Sequence, residues 1–477
     1  MANLKSLAKD TAIYGLSSII GRFLNYLMVP LYTYTLKQCS DYGIVADLYA
    51  QTALLLVILT FGMETTFFRF INKEDDPVRK MRVYSTALSM VGGVALAFAA
   101  IVLLCLNPIS AALGYEDHRW YVGMLYLCVA QDAWQAIMFA YLRNQHRPVK
   151  FACLKLAFIF LSVGLNLMAF VVMPRLDPSW EVSVKWVFVI NLICTTTISL
   201  CMFREWTGFR WVCDRQIVRD MLRYTWPLLV LGIAGILNQV AGQILLPRIL
   251  DTNEGRTQLG IYEACIKIAM IMALITQAFR YAYEPIVFGS SRDRNSKELY
   301  AKAMKYFILF TLVAYLCVIA YMPLLQYIVG RPYRVGLHII PIAMASEVMM
   351  GVVFNLSFWY KLIDKTIYGA WLSIAGAVVL FAVNFICIPR YGYVACAWAG
   401  FAGYGTTMVL SYLLGQKHNP INYPLRSILA YTLFAAALFV VMVNLPQHWN
   451  MWLRMTISTA LIILYLTPIA FEIIKKK

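Results

Sequence analysis

The sequence predicts an all-α integral membrane protein of about 14 transmembrane helices: two pseudo-symmetric six-helix lobes around a central cavity, plus two C-terminal helices. Three observations carry this expectation. The residues are 61% hydrophobic and only 14% charged, against roughly half and a quarter in a soluble globular chain. The apolar residues recur in blocks of about 20, the length that crosses a ~30 Å hydrocarbon core at about 1.5 Å per residue. The blocks lack period-2 alternation. Only helices and closed barrels satisfy every backbone group in lipid, so helices are the solution that fits.

The expected spans of the first lobe are 11–33, 43–70, 84–106, 120–141, 151–173 and 186–203. Those of the second lobe are 221–246, 259–288, 306–329, 335–362, 367–388 and 393–415, and the last pair is 428–443 and 452–471. The first block carries Arg22 in its middle and no small-residue cleavage site follows, so it is expected to stay as a helix rather than act as a signal peptide. Loop charge tests the order. With Lys5 and Lys9 placed inside, the inside loops hold basic sets such as Lys73, Arg79, Lys80 and Arg82, then Arg143, Arg147 and Lys150, and the chain ends in Lys475, Lys476 and Lys477. The alternate loops carry one or two basic residues each, for example Lys37, Arg119, Arg390 and Arg454. This is the positive-inside pattern of an even number of spans with both termini cytoplasmic.

The long basic loop between the sixth and seventh spans divides the chain into 1–205, 206–418 and 419–477. The first two segments repeat. Pro30 and Gly43 answer Pro247 and Gly260 at an offset of 217 residues. Asp132 and Phe139 answer Glu347 and Phe354 at an offset of 215, as Arg175 answers Arg390. An even number of spans per half makes the repeat parallel.

The net charge of +17 does not point to nucleic acid, because the basic residues lie in short inter-span loops rather than on a soluble face. The 11 cysteines and five histidines form no metal-ligand spacing. Neither a P-loop nor HExxH, D-x-D or G-x-S-x-G is present, and the outside loops are short, so an enzyme is not expected and no metal or cofactor is called for.

Charges inside the spans are the candidates for function, since each is costly unless it faces protein or water. Arg22 stands out. Tyr14, Ser18, Arg22 and Asn25 share one helical face, the stripe of a helix lining an aqueous cavity, and no acid lies three or four residues away. A pair with an acid on another helix is the alternative. Arg69, Lys155 and Arg280 are further cations at depth; the first two lie near span ends and can also snorkel. Arg280 with Glu284, and Glu263 with Lys267, are spaced to pair on their own helices. The repeat-matched Asp132 and Glu347, together with Glu263, are candidates for proton or sodium coupling, or for counter-charges to Arg22.

The opening LAKDTAIYGLSSIIGRFLNYLMVPLYT, followed by DYGIVADLYA and FGMETTFFRF, resembles the bacterial polysaccharide biosynthesis (Wzx-like) flippases of the multidrug/oligosaccharidyl-lipid/polysaccharide exporter superfamily. Gly-Arg within the first span, Val-Pro-Leu-Tyr-Thr at its end and Tyr-Gly opening the second carry the likeness. The resemblance implies a V-shaped cavity between two bundles in the inner membrane. It implies an undecaprenyl-pyrophosphate-linked oligosaccharide as substrate, membrane lipids and other polysaccharide assembly proteins as partners, and Arg22 as a pyrophosphate ligand. Ser18 and Asn25 join Arg22 by position, and Arg69, Lys155 and Arg280 by charge and depth. Two alternatives share the fold: a lipid II flippase, and a cation-coupled multidrug exporter, against which stands the repulsion between Arg22 and a cationic drug.

Overall fold

Turn residues break the hydrophobic blocks, and the breaks decide where each helix ends in the computed structural model, which describes residues 26, 28–207, 214–289, 296–363, 365, 367–446 and 448–475. Among the described residues every regular element is helical and no strand occurs. Among the described residues ten helices are long and apolar enough to cross a membrane, or 11 when one bent pair counts as a span. Each expected span after the first coincides with a helix or with a broken helix. Of the first, residues 26 and 28–35 are described and are helical.

The second expected span is divided into α1 (Cys39–Thr60) and α2 (Met63–Ile71). Phe61 and Gly62 between them take φ of 35° and 71°. Gly62 adopts this left-handed backbone without strain, whereas Phe61 pays a steric penalty of about 1–2 kcal/mol. The break turns α2 into a separate short segment whose open positions carry Glu64 and Arg69. Next comes α3 (Pro77–Leu104), started by Pro77 and by Asp76, whose carboxylate accepts from Val78 N at 3.0 Å. After it, α4 (Leu106–Ala112) leads to α5 (Arg119–Asn144), three residues longer than expected at its end. In α6 (Pro148–Leu167) the helix runs on through a π-helical turn, Met168–Val172, and a last α-helical turn, Met173–Leu176, with Pro174 in its first positions, where the missing N–H is tolerated. The Trp180 indole donates to Ala169 O at 3.0 Å beside the π-helical turn. The sixth span, α7 (Lys185–Cys201), has only 17 residues.

The long α8 (Arg215–Ile249) starts before the expected span because Asp214 caps it, accepting from Gln216 N and Ile217 N. The expected span 259–288 is a bent pair, α9 (Thr252–Ala269) and α10 (Ile271–Gly289), turned by 43° at Met270. Helix α11 (Ser296–Ala320) gives way to short helical turns, Met322–Leu325 and Gln326–Ile328, before α12 (Ile340–Leu356), so the expected 306–329 is one continuous helix only as far as Ala320. Gly392, at φ 53°, makes a one-residue join between α13 (Ile367–Tyr391) and α14 (Tyr393–His418). The chain closes with α15 (Leu425–Val443) and α16 (Met451–Lys475).

Contacts divide the chain into two compact units, Met1–Gly260 and Ile261–Lys477. In the first, Met63, Phe67, Tyr84, Ala87, Ala133 and Ile137 form a dry core among α2, α3 and α5. In the second, α14 buries a seam of small residues at every fourth position, Ala399, Gly403, Thr407, Ser411 and Gly415. Small residues let helix backbones approach where lipid supplies no hydrophobic drive. A Cβ on Gly376 of α13 would meet Thr407 Oγ1 at 2.2 Å.

The repeat-matched glycines meet each other within the first unit. A Cβ on Gly43 of α1 would lie 1.8 Å from Arg256 O, and one on Gly260 of α9 would lie 2.0 Å from Cys39 O. Each glycine therefore sits against the carbonyl four residues before the other. Buried Asp47, one turn further along α1, anchors the crossing. It accepts from Tyr115 OH at 2.8 Å and from Arg248 Nη1 at 3.1 Å. The Arg256 guanidinium lies 3.9 Å over the Tyr115 ring and donates to Gly114 O at 2.7 Å.

Candidate functional site

The first unit collects charge where α2, α5 and α6 meet. Glu64, on the short segment after the Phe61–Gly62 break, forms an ion pair with Arg143 in the last turn of α5. Both partners are open, with 45% and 33% of their side chains exposed. The Arg143 guanidinium also lies 5.0 Å over the Phe68 ring. Lys155 projects from an exposed position of α6, its ammonium 4.0 Å over Phe139, and it feels the charges of Asp132, Glu64 and Arg143. Half-buried Asp132 lies beside Lys155 and Thr195. Arg69 is exposed on α2 and stacks 4.1 Å over Tyr224 of α8. The expected cations Arg69 and Lys155 are thus both open rather than buried. Each rests on an aromatic face, which holds a cation while leaving its donors for another ligand.

A polar network backs this cluster. Gln135 Nε2 donates to Thr195 O at 3.0 Å and to Ser199 Oγ at 2.8 Å, and Ser199 Oγ donates to Gln131 Oε1 at 3.3 Å. Thr195 Oγ1 donates to Asn191 Oδ1 at 3.3 Å, and Asn191 Nδ2 reaches Tyr49 OH at 2.5 Å. These bonds tie α1, α5 and α7 together and fix the helix that carries Asp132.

The second unit distributes its charges differently. Lys267 and Glu263 form the expected same-helix pair at 3.1 Å. Exposed Arg280 lies 5.0 Å over Phe354, a ring that Lys361 also flanks at 5.0 Å. The side chain of Glu284, its expected partner, lies outside the described residues. Glu347 is half-buried on α12 near Tyr262 and Tyr404, and among the described residues no cation pairs with it. A buried pair closes α11 against α16: Lys305, with 7% of its side chain exposed, meets Glu472, which also accepts from Tyr431 OH at 3.2 Å. Between α11, α12, α14 and α15 lies a cavity of about 510 Å³ with almost wholly apolar walls, including Met304, Tyr315, Met349, Tyr412 and Phe439.

Ser18, Arg22 and Asn25, the centre of the sequence-based expectation, lie outside the described residues. The described sites therefore rest on the other candidates. Among the described residues no group of three or more metal-ligating side chains comes together.

Open cations on membrane-crossing helices, in a chain whose opening resembles polysaccharide flippases, frame the comparison with known proteins. Residues 7–283, more than half of the chain, match the family described as "Polysaccharide biosynthesis protein". The chain belongs to that family. No curated protein sequence matches it. Its fold is shared with the lipid II flippase MurJ in an inward closed conformation, at a TM-score of 0.74, 14% identity, and coverage of 97% of this chain and 99% of that one. It is shared also with an inward-facing multidrug resistance MATE family transporter of the MOP superfamily, at 0.61, 13% identity, and 86% and 97% coverage. An outward-facing structure of a MATE family transporter aligns at 0.58, 12% identity, and 86% and 95% coverage. At such identity these likenesses speak for fold. The family member is a multi-pass membrane protein with a transporter fold rather than that of an enzyme.

Sequence counted Glu64 among the charges inside the spans but gave it no role, and it did not mark Arg143 as a site residue. Arg143 reads as a loop residue because the hydropathy falls at Tyr141, yet α5 continues to Asn144. Glu64 reads as one acid among several. No spacing in the sequence links them, because the pair joins separate helices 79 residues apart.

Proposed function

We propose that the protein translocates an undecaprenyl-pyrophosphate-linked oligosaccharide across the bacterial inner membrane by alternating access, with both termini cytoplasmic. The observation that carries this reading is the open cation set on membrane helices, Arg69, Arg143 and Lys155, each seated on an aromatic ring. A headgroup with two phosphates and several sugars cannot cross hydrocarbon unaided. Guanidinium groups bind phosphate oxygens with a two-pronged geometry, and lysine adds a point charge. Arg22, with Ser18 and Asn25, joins this set in the proposal as a pyrophosphate ligand, and Arg280 serves the second unit. An inside-negative potential favours outward movement of an anion by about 2.3 kcal/mol per charge per 100 mV.

The apolar cavity in the second unit suits the lipid chain, which must find an apolar environment while the headgroup moves. It gives α15 a part in substrate handling. Coupling to protons or sodium is assigned to Glu347. Glu263 has Lys267 as counter-charge and Asp132 has Lys155 beside it, whereas Glu347 has no ion pair among the described residues. An uncompensated carboxylate inside a membrane is neutralised by a proton or a bound cation.

The deciding experiment removes the gene and compares lipid extracts by mass spectrometry with the surface polysaccharide. Accumulation of an undecaprenyl-pyrophosphate oligosaccharide with loss of one surface glycan is the expected result. Accumulated lipid II with lethality would replace the substrate with a peptidoglycan precursor. Unchanged lipids and glycans with altered drug susceptibility would replace the proposal with multidrug export.

A further inference from the structure

Ion pairs within the first unit fall into two kinds. Glu205, which pairs with Lys150 at 2.5 Å and Arg147 at 3.5 Å, keeps only 3% of its side chain exposed. Asp47, which pairs with Arg248, is likewise at 3%. Both acids are locked in the protein, and their pairs read as fasteners between helices. The pair of Glu64 with Arg143 has no buried partner, at 45% and 33% exposed; Lys37–Glu181 and Arg79–Glu74 are open too, but each of those involves a loop residue, whereas Glu64 and Arg143 both lie on helices. Its acid stands beside a second cation, Lys155. Its arginine is oriented from behind by the Phe68 ring, and Arg143 Nε finds no hydrogen-bond partner among the described residues. A fastener does not need these features. They describe an oxyanion site, a guanidinium held by a carboxylate that belongs to the protein, with the charge of Lys155 felt there as well.

We infer that Glu64 is a built-in stand-in for substrate phosphate, and that Arg143 is a phosphate-binding residue kept occupied until the pyrophosphate group displaces Glu64. The inference rests on the proposed pyrophosphate substrate. The exchange is of like for like. An incoming pyrophosphate offers more negative charge than one carboxylate and matches the guanidinium fork equally well, so it displaces Glu64, whereas neutral sugars do not. The carboxylate sits on the short segment after the Phe61–Gly62 break, apart from the long α1. The same carboxylate sets a threshold: ordinary anions at low charge meet an occupied site, and the empty site is not left as an uncompensated pair of cations in the membrane.

The test is the binding of inorganic pyrophosphate to the purified full-length protein by titration calorimetry, with thermal stability recorded for every variant. Glu64→Gln removes the competitor and no cation, and is expected to tighten pyrophosphate binding roughly two- to five-fold, the range for release from an exposed ion pair. Arg143→Gln is expected to weaken it by about ten-fold or more. If wild type binds pyrophosphate and Glu64→Gln leaves the affinity unchanged or lowers it, the stand-in role is overturned. If both variants merely lower stability at constant affinity, the pair is a fastener and the inference is again overturned. If Arg143→Gln does not fold, Glu64→Gln alone decides. If wild type itself does not bind pyrophosphate, the phosphate recognition in the proposed function fails, and this inference falls with it; a wild type that binds while its variants do not differ sinks only the inference.

Discussion

Placing one methyl group at Gly43 tests the crossing of α1 and α9. The Cβ of Gly43→Ala would sit 1.8 Å from Arg256 O and 2.6 Å from the carbonyl carbon. A carbon and a carbonyl oxygen need about 3.3 Å, so the two backbones must separate by roughly 1.5 Å. The obstacle is backbone, with no flexible side chain to move aside. Separation stretches the bonds that close the crossing, Tyr115 to Asp47 at 2.8 Å, Arg248 to Asp47 at 3.1 Å and Arg256 to Gly114 O at 2.7 Å. Overpacking costs about 1–3 kcal/mol, and losing one buried hydrogen bond to a charged group about 1.5–3 kcal/mol more. The expected loss is therefore about 3–5 kcal/mol, or a fall in Tm of about 10 °C at roughly 2–4 °C per kcal/mol. Gly93→Ala is the control. Nothing lies within 4 Å of its Cβ, and alanine favours a helix over glycine by about 1 kcal/mol, so its Tm should hold or rise. Both variants are compared with wild type by thermal unfolding in detergent. A Gly43→Ala protein that melts with the wild type would show that the helices are not in backbone contact and would refute the reasoning.

Three further perturbations address the site. Lys155→Met removes the counter-charge beside Asp132 and should reduce folded protein. Adding Asp132→Asn should restore the folded level, measured by size-exclusion chromatography, without restoring glycan export; recovery of export by the double variant would make the pair purely structural. Glu347→Gln keeps the shape and, because Glu347 forms no ion pair among the described residues, should keep Tm within a few degrees. It should abolish the dependence of transport on a proton or sodium gradient in proteoliposomes, and gradient dependence equal to wild type would remove Glu347 from coupling. Ala435→Phe fills the apolar cavity and should raise Tm slightly while slowing export several-fold, since added apolar contact stabilises a void. Unchanged export would show that the cavity takes no part in transport.

Hydropathy makes the helices legible because a span has only one length that works. Interruptions are less visible. The break at 61–62 hides in an apolar run, since a Phe in the left-handed region looks like any other Phe. The bend between α9 and α10 falls at Met270, with neither proline nor glycine to mark it. The early starts of α8 and α11 are polar turns of helix outside the apolar block, invisible to hydropathy though signalled for α8 by Asp214. The repeat offsets pointed at Gly43 and Gly260, but only coordinates show that they oppose each other. For the site, sequence located Arg69, Lys155 and Asp132 at depth. It did not assign Glu64 to Arg143, because the two are 79 residues apart and pairing across helices leaves no spacing to read.

The repeat also bears on why the proposal gives two matched acids different work. Asp132 and Glu347 occupy matched positions at an offset of 215 residues, each seven residues before a phenylalanine. Phe139 carries Lys155 on its face, and Phe354 carries Arg280 and Lys361. The aromatic seat for a cation has thus been kept in both halves, while the counter-charge has not. In the first unit Lys155 feels the charge of Asp132. In the second, neither Arg280 nor Lys361 pairs with Glu347, which is left among tyrosines. An acid with a resident cation holds its charge at constant composition of the site. An acid without one must take up and release a counter-ion whenever its exposure to water changes. In the function proposed above the two halves divide the work: a fixed cationic surface holds the anionic substrate, and a titratable group links the change of face to an ion gradient.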